Sequence, residues 1–317
     1  MQFQPQGKQA VGVCFDSDLG NTIDDALALA MLYGLQGKTE TRVLSVSTTK
    51  SSLEAAIFGD ILVRFYTGDP GGFGGATPIG LTLSGKMASS NSMMEAVVPD
   101  KKYTRTIAKM NDTADPVAVI RNALSAQQDQ NAMVVLTGPA TNLATMLKLP
   151  LCPPLITKKA QKLVIGVDAG TLSDIPALRA VLAEWPTPIV VAGAELGEEF
   201  PFPGASIDKD FAWSEAHPLV AAYKAYRPMP YDAPAMAMAA ALYAVRPQEN
   251  YFKVGAAGTF TVGDDGKLKH TPAANGKHTA LMADASQKER IQQAYAEMAS
   301  TKPVPRAQRV RPPQKKQ

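Results

Sequence analysis

Four aspartates lie close together near the start of the chain, where an apolar run gives way to a helical segment. The segment FDSDLGNTIDDALAL contains Asp16, Asp18, Asp24 and Asp25. Carboxylates that converge at the end of a strand repel one another unless a cation, a proton or a helix N-terminus compensates their charge. Oxygen ligands without His or Cys suit calcium or magnesium better than zinc. The segment therefore predicts a site for a divalent hard cation. The alternative is that Asp24 and Asp25 are ordinary first-turn helix acids and that Asp18 is a turn residue.

A second segment can contribute to the same place. VVLTGPATNLA ends an apolar run with a Gly-Pro turn, which can direct the backbone carbonyl of Thr137 towards the aspartates. Open α/β sheets bind their ligands outside the carboxyl ends of the strands, which favours a functional reading of both segments. Taken alone, VVLTGPATNLA is also compatible with an ordinary turn from a strand to a helix.

The elements that would hold these residues alternate along the chain. The apolar run at residues 11–15 has the composition of a buried parallel strand, and a helix is predicted from Asp24 onward. Further strands are predicted at 42–48, 132–136, 162–167 and 188–192, and helices at 52–66, 116–126, 143–147 and 175–185. This alternation predicts an α/β fold with a mostly parallel open sheet, helices on both faces and the first strand central.

Length and composition fit one large domain. The chain has 317 residues and 45% hydrophobic content, and no linker separates its apolar segments. We expect a domain at residues 1–303 and a disordered tail at 304–317, where basic residues and prolines concentrate.

Charge, cysteines and hydropathy exclude several other classes of protein. The net charge of +3, from 32 basic and 29 acidic residues, gives no general preference for nucleic acid. The sequence contains no run of about 18 apolar residues, so no membrane span is predicted. Cys14 and Cys152 do not make a disulfide framework, so we expect buried free thiols. The N-terminus lacks an apolar signal region, which predicts a cytoplasmic protein, although a processed secreted protein would look the same.

Five segments carry a resemblance to a known family. DSDLGNTIDDALAL resembles the signature of the inosine/uridine-preferring nucleoside hydrolases, in the subgroup with the form Gly-Asn-x-x-Asp-Asp. TGPATNLA is similar to the second motif of that family, and WPTPIVVAGAELG, YDAPAMAMAAALYAVRP and ASTKPVPR are similar to later blocks of the subgroup. The similarity spans nearly the whole chain. It implies a nucleoside hydrolase-like fold, a homodimer or homotetramer, and calcium-dependent cleavage of the N-glycosidic bond of ribonucleosides.

The resemblance also implies roles for individual residues. Asp18 would be a calcium ligand and the base that activates the attacking water, Asp25 a bidentate ligand, and Thr137 a ligand through its backbone carbonyl. Asp24 would hold ribose hydroxyls, with Asn142 as a further substrate-binding residue. Asp16 would support the site from behind. This chemistry is sound, because a bound cation makes water easier to deprotonate and a carboxylate can then take the proton.

Two departures from the family pattern predict a weakened site. Ala237 stands where the family has its last calcium-ligating aspartate, and Met236 where it has an aromatic residue or His; Asp232 is a substitute ligand only if its loop is rearranged. In VDAGTLSDIPALRAVLAEW, the loop between Asp168 and the helix start at Asp174 is shorter than in the family, and the Glu and Asn that clamp ribose are missing. We therefore expect calcium to bind weakly and hydrolysis of inosine and uridine to be slow or undetectable.

Three hypotheses follow. The first is an active calcium-dependent nucleoside hydrolase, and the second is a degenerate relative that binds a nucleoside-like ligand or a protein partner without turning it over. The third is a magnesium phosphatase with Asp16 as nucleophile and Asp18 as acid, which fits the Asp-x-Asp spacing but not the later blocks. Outside these segments, Glu195 lies just past a predicted strand and could reach the crevice, whereas His217, His270 and His278 are expected on the surface.

Overall fold

The computed structural model describes residues 9–68, 77–83 and 91–303. The expected tail at 304–317 lies outside the described residues. Within the described part, the strands are β1 Val11–Ser17, β2 Thr41–Thr48, β3 Ile79–Leu81, β4 Ala132–Thr137, β5 Ala160–Val167, β6 Ile189–Gly193, β7 Lys253–Val254, β8 Gly258–Val262, β9 Leu268–Pro272 and β10 His278–Met282.

The α-helices of the same residues are α1 Ile23–Gly37, α2 Leu53–Thr67, α3 Ser92–Val97, α4 Pro116–Ser125, α5 Thr141–Leu147, α6 Cys152–Lys159, α7 Ile175–Glu184, α8 Ala194–Glu199, α9 Ala205–Lys209, α10 Pro218–Tyr226, α11 Met236–Val245 and α12 Lys288–Ala299. No helix in this part of the chain combines the length and the apolar composition that crossing a bilayer requires.

The strands form one mixed sheet in the order β3-β2-β1-β4-β5-β6-β10-β8-β9, with β7 paired to β10. The pairs from β3 through β6 to β10 are parallel, and the pairs of β10 with β8 and of β8 with β9 are antiparallel. The sequence prediction of a mostly parallel sheet is confirmed, and β1, which was predicted to be central, lies third in this order, between β2 and β4. After β1 the chain builds β2 and β3 on one side and then β4, β5 and β6 on the other. A topological switch point therefore lies between β1 and β4, which is where sheets of this kind bind ligands.

Helices cover both faces of the sheet. Along β1, Val13 and Phe15 point into one core and Cys14 into the other, as the two-residue period of a strand requires. The first core is shared with α1, α2, α11 and α12, and the second with α4 to α7. Both cysteines are buried free thiols, as expected.

Helices α1 and α11 are buried on all sides. From Ile23 to Leu35 every residue of α1 is buried, and so is every residue of α11. The two helices contact each other, and α11 also contacts β4 and β5. Helices that are apolar all round belong in the middle of a large core. The start of each helix consequently reaches the carboxyl edge of the sheet as a rigid element.

Candidate functional site

The sheet register brings the ends of three strands together. Ser17, the last residue of β1, lies opposite Thr48 of β2 and Thr137 of β4. Asp18 and the start of α1 follow immediately after this point. The acidic segment and the Gly-Pro turn that follows Thr137 are thus neighbours at the carboxyl edge of the sheet, on the two sides of the switch point.

Asp16 forms the floor of this acidic cluster. It is fully buried, and its Oδ1 accepts hydrogen bonds from Ser47 Oγ at 2.6 Å and from Asn142 Nδ2 at 2.9 Å. Its Oδ2 is buried and has no hydrogen-bond partner among the described residues. Burial raises the pKa of Asp16 to about 7, although the bonds from Ser47 and Asn142 oppose that rise. This position fits a supporting role behind the site.

Asn142 belongs to the same floor. Its side-chain amide also donates to the carbonyl oxygen of Thr48 at 3.1 Å, and only 2% of the residue is exposed. The contacts that the structure gives Asn142 therefore join α5 to β1 and β2. The substrate-binding role that the sequence predicts for it stays a prediction.

Asp18 carries an unpaired carboxylate oxygen. Only 1% of the residue is exposed, and Oδ2 has no hydrogen-bond partner among the described residues. Burial raises the pKa of Asp18 well above its usual range, the charges of Asp25 and Asp168 raise it further, and the charge of Lys50 lowers it. A buried carboxylate oxygen without a donor costs stability, so Asp18, like Asp16, has an unmet need for a partner.

Asp25 lies beside Asp18 and binds hydroxyl groups. Its Oδ1 accepts from Ser17 Oγ at 2.8 Å and from Thr137 Oγ1 at 2.7 Å, and its Oδ2 accepts from Thr22 Oγ1 at 3.2 Å. Burial raises the pKa of Asp25 to about 6, against the effect of these hydroxyls. The negative charge of Asp25 raises the pKa of Asp18, so the two carboxyl groups interact directly.

Asp24 points in another direction, towards the start of α11. Its Oδ2 accepts from the amide of Ala237 at 2.6 Å and its Oδ1 from the amide of Met238 at 3.3 Å. These are first-turn amides that no side chain of α11 caps. Burial raises the pKa of Asp24 well above its usual range, the charge of Asp25 adds to the rise, and the two amides oppose it. Asp24 thus acts as a cap supplied by another helix.

Close backbone approaches fix the geometry around Asp18. A Cβ atom built on Gly138 would lie 2.6 Å from the amide nitrogen of Asp18 and 2.8 Å from its Cβ. A Cβ atom built on Gly170 would overlap Asp18 Oδ2 and lie 3.2 Å from Asp168 Oδ1. Glycine is therefore required at position 138, whereas a side chain at position 170 would displace the Asp18 carboxylate.

Asp168 is the acidic residue of the site that the sequence reasoning missed. It follows β5 directly, and its charge raises the pKa of Asp18, Asp24 and Asp25 alike. A signal was available, because an aspartate directly after the apolar run VIGV repeats the position of Asp18 after β1. Sequence reasoning treated Asp168 only as the start of a shortened loop.

Several other candidates lie elsewhere. Asp232 is exposed, and its Oδ1 accepts from the amide of Gly204 at 2.7 Å. Met236 packs on Gly166 of β5. Glu195 is exposed in the first turn of α8, after β6. In the described residues, none of the three is hydrogen-bonded to Asp18 or Asp25.

The surface placement expected for the histidines is wrong for two of them. His217 is only 2% exposed and lies among the rings of Phe65, Tyr66, Phe211 and Trp213. His278 is 6% exposed, and its Nδ1 accepts from the amide of Phe260 at 2.8 Å. Both rings are buried because strand and helix packing covers them, which the neighbouring polar residues in the sequence did not indicate.

No protein-family model matches the chain, and no curated protein matches it significantly. Solved structures do match. The plant nucleoside hydrolase PpNRh1 has a TM-score of 0.69 at 17% identity over 92% of this chain and 99% of its own. The purine-preferring ribonucleoside hydrolase from Gardnerella vaginalis has a TM-score of 0.68 at 15% identity, over 91% and 98%. The type III effector XopQ, solved with adenosine diphosphate ribose, has a TM-score of 0.65 at 12% identity, over 95% and 96%.

The chain has the nucleoside hydrolase fold. At these identities the likeness establishes the fold alone. The three matches cover 91% to 95% of this chain, so the expected nucleoside hydrolase-like architecture is confirmed.

The residues at the site have the oxygen ligands that a calcium ion prefers, but there are too few carboxylates for a complete ligand set. The donors are all oxygens, as calcium prefers, and Asp18 offers a buried oxygen without a partner. However, the described residues contain no group of three or more His, Cys, Asp or Glu side chains placed to hold a metal. Asp18 and Asp25 supply two carboxylates, Asp24 is bonded to α11, and position 237 has none. The ligand set that these residues offer is therefore incomplete for calcium.

Proposed function

We propose that this protein binds a ribonucleoside, or a closely related ribosylated small molecule, at the acidic cluster, and that it hydrolyses the N-glycosidic bond slowly or not at all. The observation that carries the proposal is the unpartnered, buried Oδ2 of Asp18 at the switch point of a nucleoside hydrolase fold. The motif DSDLGNTIDDALAL supports ancestry in the subgroup with the Gly-Asn form.

We further propose that Asp18, Asp25 and the main-chain carbonyl of Thr137 would hold calcium, with lower affinity than a site with three carboxylates. When bound, the ion would supply positive charge that makes a nearby water easier to deprotonate. Asp18, whose free oxygen is unpaired, is the group that would take the proton. Asp16, in β1, would support Asp18, which follows the end of that strand.

The bonds of Asp24 support reduced hydrolysis. Its two oxygens already accept the amides of Ala237 and Met238, so ribose hydroxyls must compete with backbone donors for this carboxylate. The short loop between Asp168 and Asp174 lacks the Glu and Asn that clamp ribose in the family that the sequence resembles. Correct orientation of the reacting groups accounts for a large part of the lowering of a reaction barrier by an enzyme. A loosely held ribose loses part of that benefit.

The experiment is a pair of measurements on the full chain at saturating calcium: calorimetric binding of inosine and uridine, and release of free ribose. We expect binding without measurable turnover, loss of binding in Asp18→Ala, and unchanged binding in the surface control Asp265→Asn. Fast ribose release that Asp18→Ala abolishes would contradict reduced hydrolysis. Folded protein that binds neither nucleoside would contradict the whole proposal.

A further inference from the structure

Asp168 stands at the outer side of the acidic cluster. Whereas Asp16, Asp18, Asp24 and Asp25 are buried, Asp168 is partly exposed. Its Oδ1 and the unpartnered Oδ2 of Asp18 both lie around the α-carbon of Gly170, as the contacts of a Cβ built there show. A ligand atom that comes to pair with Asp18 Oδ2 therefore arrives beside the carboxylate of Asp168.

The loop holds Asp168 in a fixed orientation. The amide of Thr171 donates to Oδ1 at 2.9 Å. The hydroxyl of Thr171, which is fully buried, is within hydrogen-bond distance of the carbonyl oxygen of Gly166 at 2.7 Å and of Asp168 Oδ1 at 3.1 Å. Among the described residues, no donor contacts Asp168 Oδ2. One oxygen thus anchors the side chain and the other is left to accept hydrogen bonds from a ligand.

The charge around Asp168 is strongly negative. Asp168 acts electrostatically on Asp18, Asp24 and Asp25, and Glu195 is exposed just after β6, the strand next to β5. The charge of Lys50, whose Nζ donates to Asn21 Oδ1 at 2.8 Å, opposes this effect at Asp18. Hydroxyl groups of a sugar can donate to such carboxylates, whereas a phosphate group offers only acceptors and a like charge.

We propose that Asp168 determines the class of ligand, an inference that rests on the proposed function. The free oxygen of Asp168 accepts a hydroxyl of a neutral nucleoside, and its charge excludes ligands with a phosphate on that sugar. Asp168 thereby takes over part of the ribose contact that the shortened loop has lost. The fold neighbours make the distinction concrete, since two are named as nucleoside or ribonucleoside hydrolases and one was solved with adenosine diphosphate ribose.

The test is calorimetric binding to the full chain at saturating calcium, with inosine, inosine 5′-monophosphate and adenosine diphosphate ribose as ligands. We expect the natural chain to prefer inosine over both phosphorylated ligands by at least about tenfold in Kd. In Asp168→Asn we expect weaker inosine binding and a preference reduced to about threefold or less, because the repulsive charge is gone. Asp265→Asn, an exposed aspartate in the β8-β9 hairpin, is the matched control and should keep the natural preference.

A second variant separates charge from loop structure. Thr171→Val removes the hydroxyl that anchors the loop but keeps the Asp168 charge, so we expect weaker inosine binding with the preference against phosphate retained. Phosphorylated ligands that bind the natural chain as tightly as inosine would overturn the role of Asp168, and so would an unchanged preference in Asp168→Asn; either result leaves the proposed function standing. Folded natural chain that binds none of the three ligands would overturn the proposed function together with this inference.

Discussion

The carboxylate of Asp24 accepts the amide of Ala237 at 2.6 Å, across two buried helices that lie far apart in the sequence. Position 237 is where the family resemblance places a calcium-ligating aspartate. In this chain the start of α11 contributes a backbone donor to the acidic cluster instead of a third carboxylate. The amides at the start of α11 and the dipole of that helix compensate part of the negative charge of the aspartates, which a cation would otherwise compensate.

Restoring the carboxylate should make stability depend on calcium. Ala237 is 1% exposed, so Ala237→Asp adds a charge to a buried cluster that already contains four aspartates. Without calcium we expect a loss on the order of 2–4 kcal/mol in the free energy of unfolding. With calcium at about a hundred times its Kd, binding to the folded state should return about 2.7 kcal/mol. Urea unfolding in chelator and in calcium measures both values.

The neutral variant Ala237→Asn is the control for Ala237→Asp, because it adds similar volume without the charge. We expect it to lose stability in both buffers alike. An equal calcium response in the natural chain, Ala237→Asn and Ala237→Asp would show that position 237 does not face the cation site. Ribose release should rise less than calcium affinity in Ala237→Asp, because the ribose contacts are still missing.

Asp16 should make the calcium-free protein less stable as pH rises. Its pKa is about 7 in the folded state against an ordinary value of 3.8, so between these values the folded state holds a proton that the unfolded chain has released. The contribution of Asp16 to the free energy of unfolding is therefore fully present below pH 4 and is lost as the pH rises through about 7. At about 1.4 kcal/mol per pKa unit, the loss is on the order of 4 kcal/mol. Because the pKa values of Asp18, Asp24 and Asp25 are raised as well, Asp16→Asn should reduce but not abolish the fall in the free energy of unfolding between pH 5 and 8, as urea unfolding measures it. Identical slopes in the two proteins would contradict this expectation.

His217 should act in the opposite direction. Burial lowers its pKa from 6.5 to about 3, so below pH 6.5 the unfolded chain takes up a proton that the folded state refuses. Stability from this group is present above pH 6.5 and is lost as pH falls towards 3. His217→Phe keeps an aromatic ring among Phe65, Phe211 and Trp213 and should retain more stability than the natural chain at pH 4 to 5. Equal stability of His217→Phe and the natural chain at pH 4 to 5 would contradict this expectation.

Much of the fold follows from the sequence, because the buried strands are apolar and alternate with helical segments. Residues 132–136 and 162–167 were predicted within a residue or two of β4 and β5. Helix α6 was not predicted. It begins at Cys152 with prolines in its first turn, where the missing amide hydrogen costs nothing, and sequence patterns read such prolines as helix breakers.

The site was predictable only in part. The place of Asp16, Asp18 and Thr137 follows from the rule that ends of parallel strands share an edge. The contact of Asp24 with α11 depends on how two helices far apart in sequence pack, and no local pattern encodes it. The burial of His217 likewise arises from four rings that separate segments bring together.

Gly138 should be intolerant of a methyl group, because the end of β4 lies directly against Asp18. A Cβ at this position would sit 2.6 Å from the Asp18 amide nitrogen, and backbone cannot yield as a flexible side chain can. We expect Gly138→Ala to cost about 1–3 kcal/mol and to weaken inosine binding, since relief of the overlap moves Asp18. The control is Gly37→Ala at the end of α1, where the nearest atom, Thr301 Cγ2, would be 3.8 Å away. That variant should be neutral or more stable by up to about 1 kcal/mol, because alanine favours helix. Thermal unfolding and calorimetry on both variants decide the matter, and equal stability of the two would show that the turn after Thr137 does not hold Asp18.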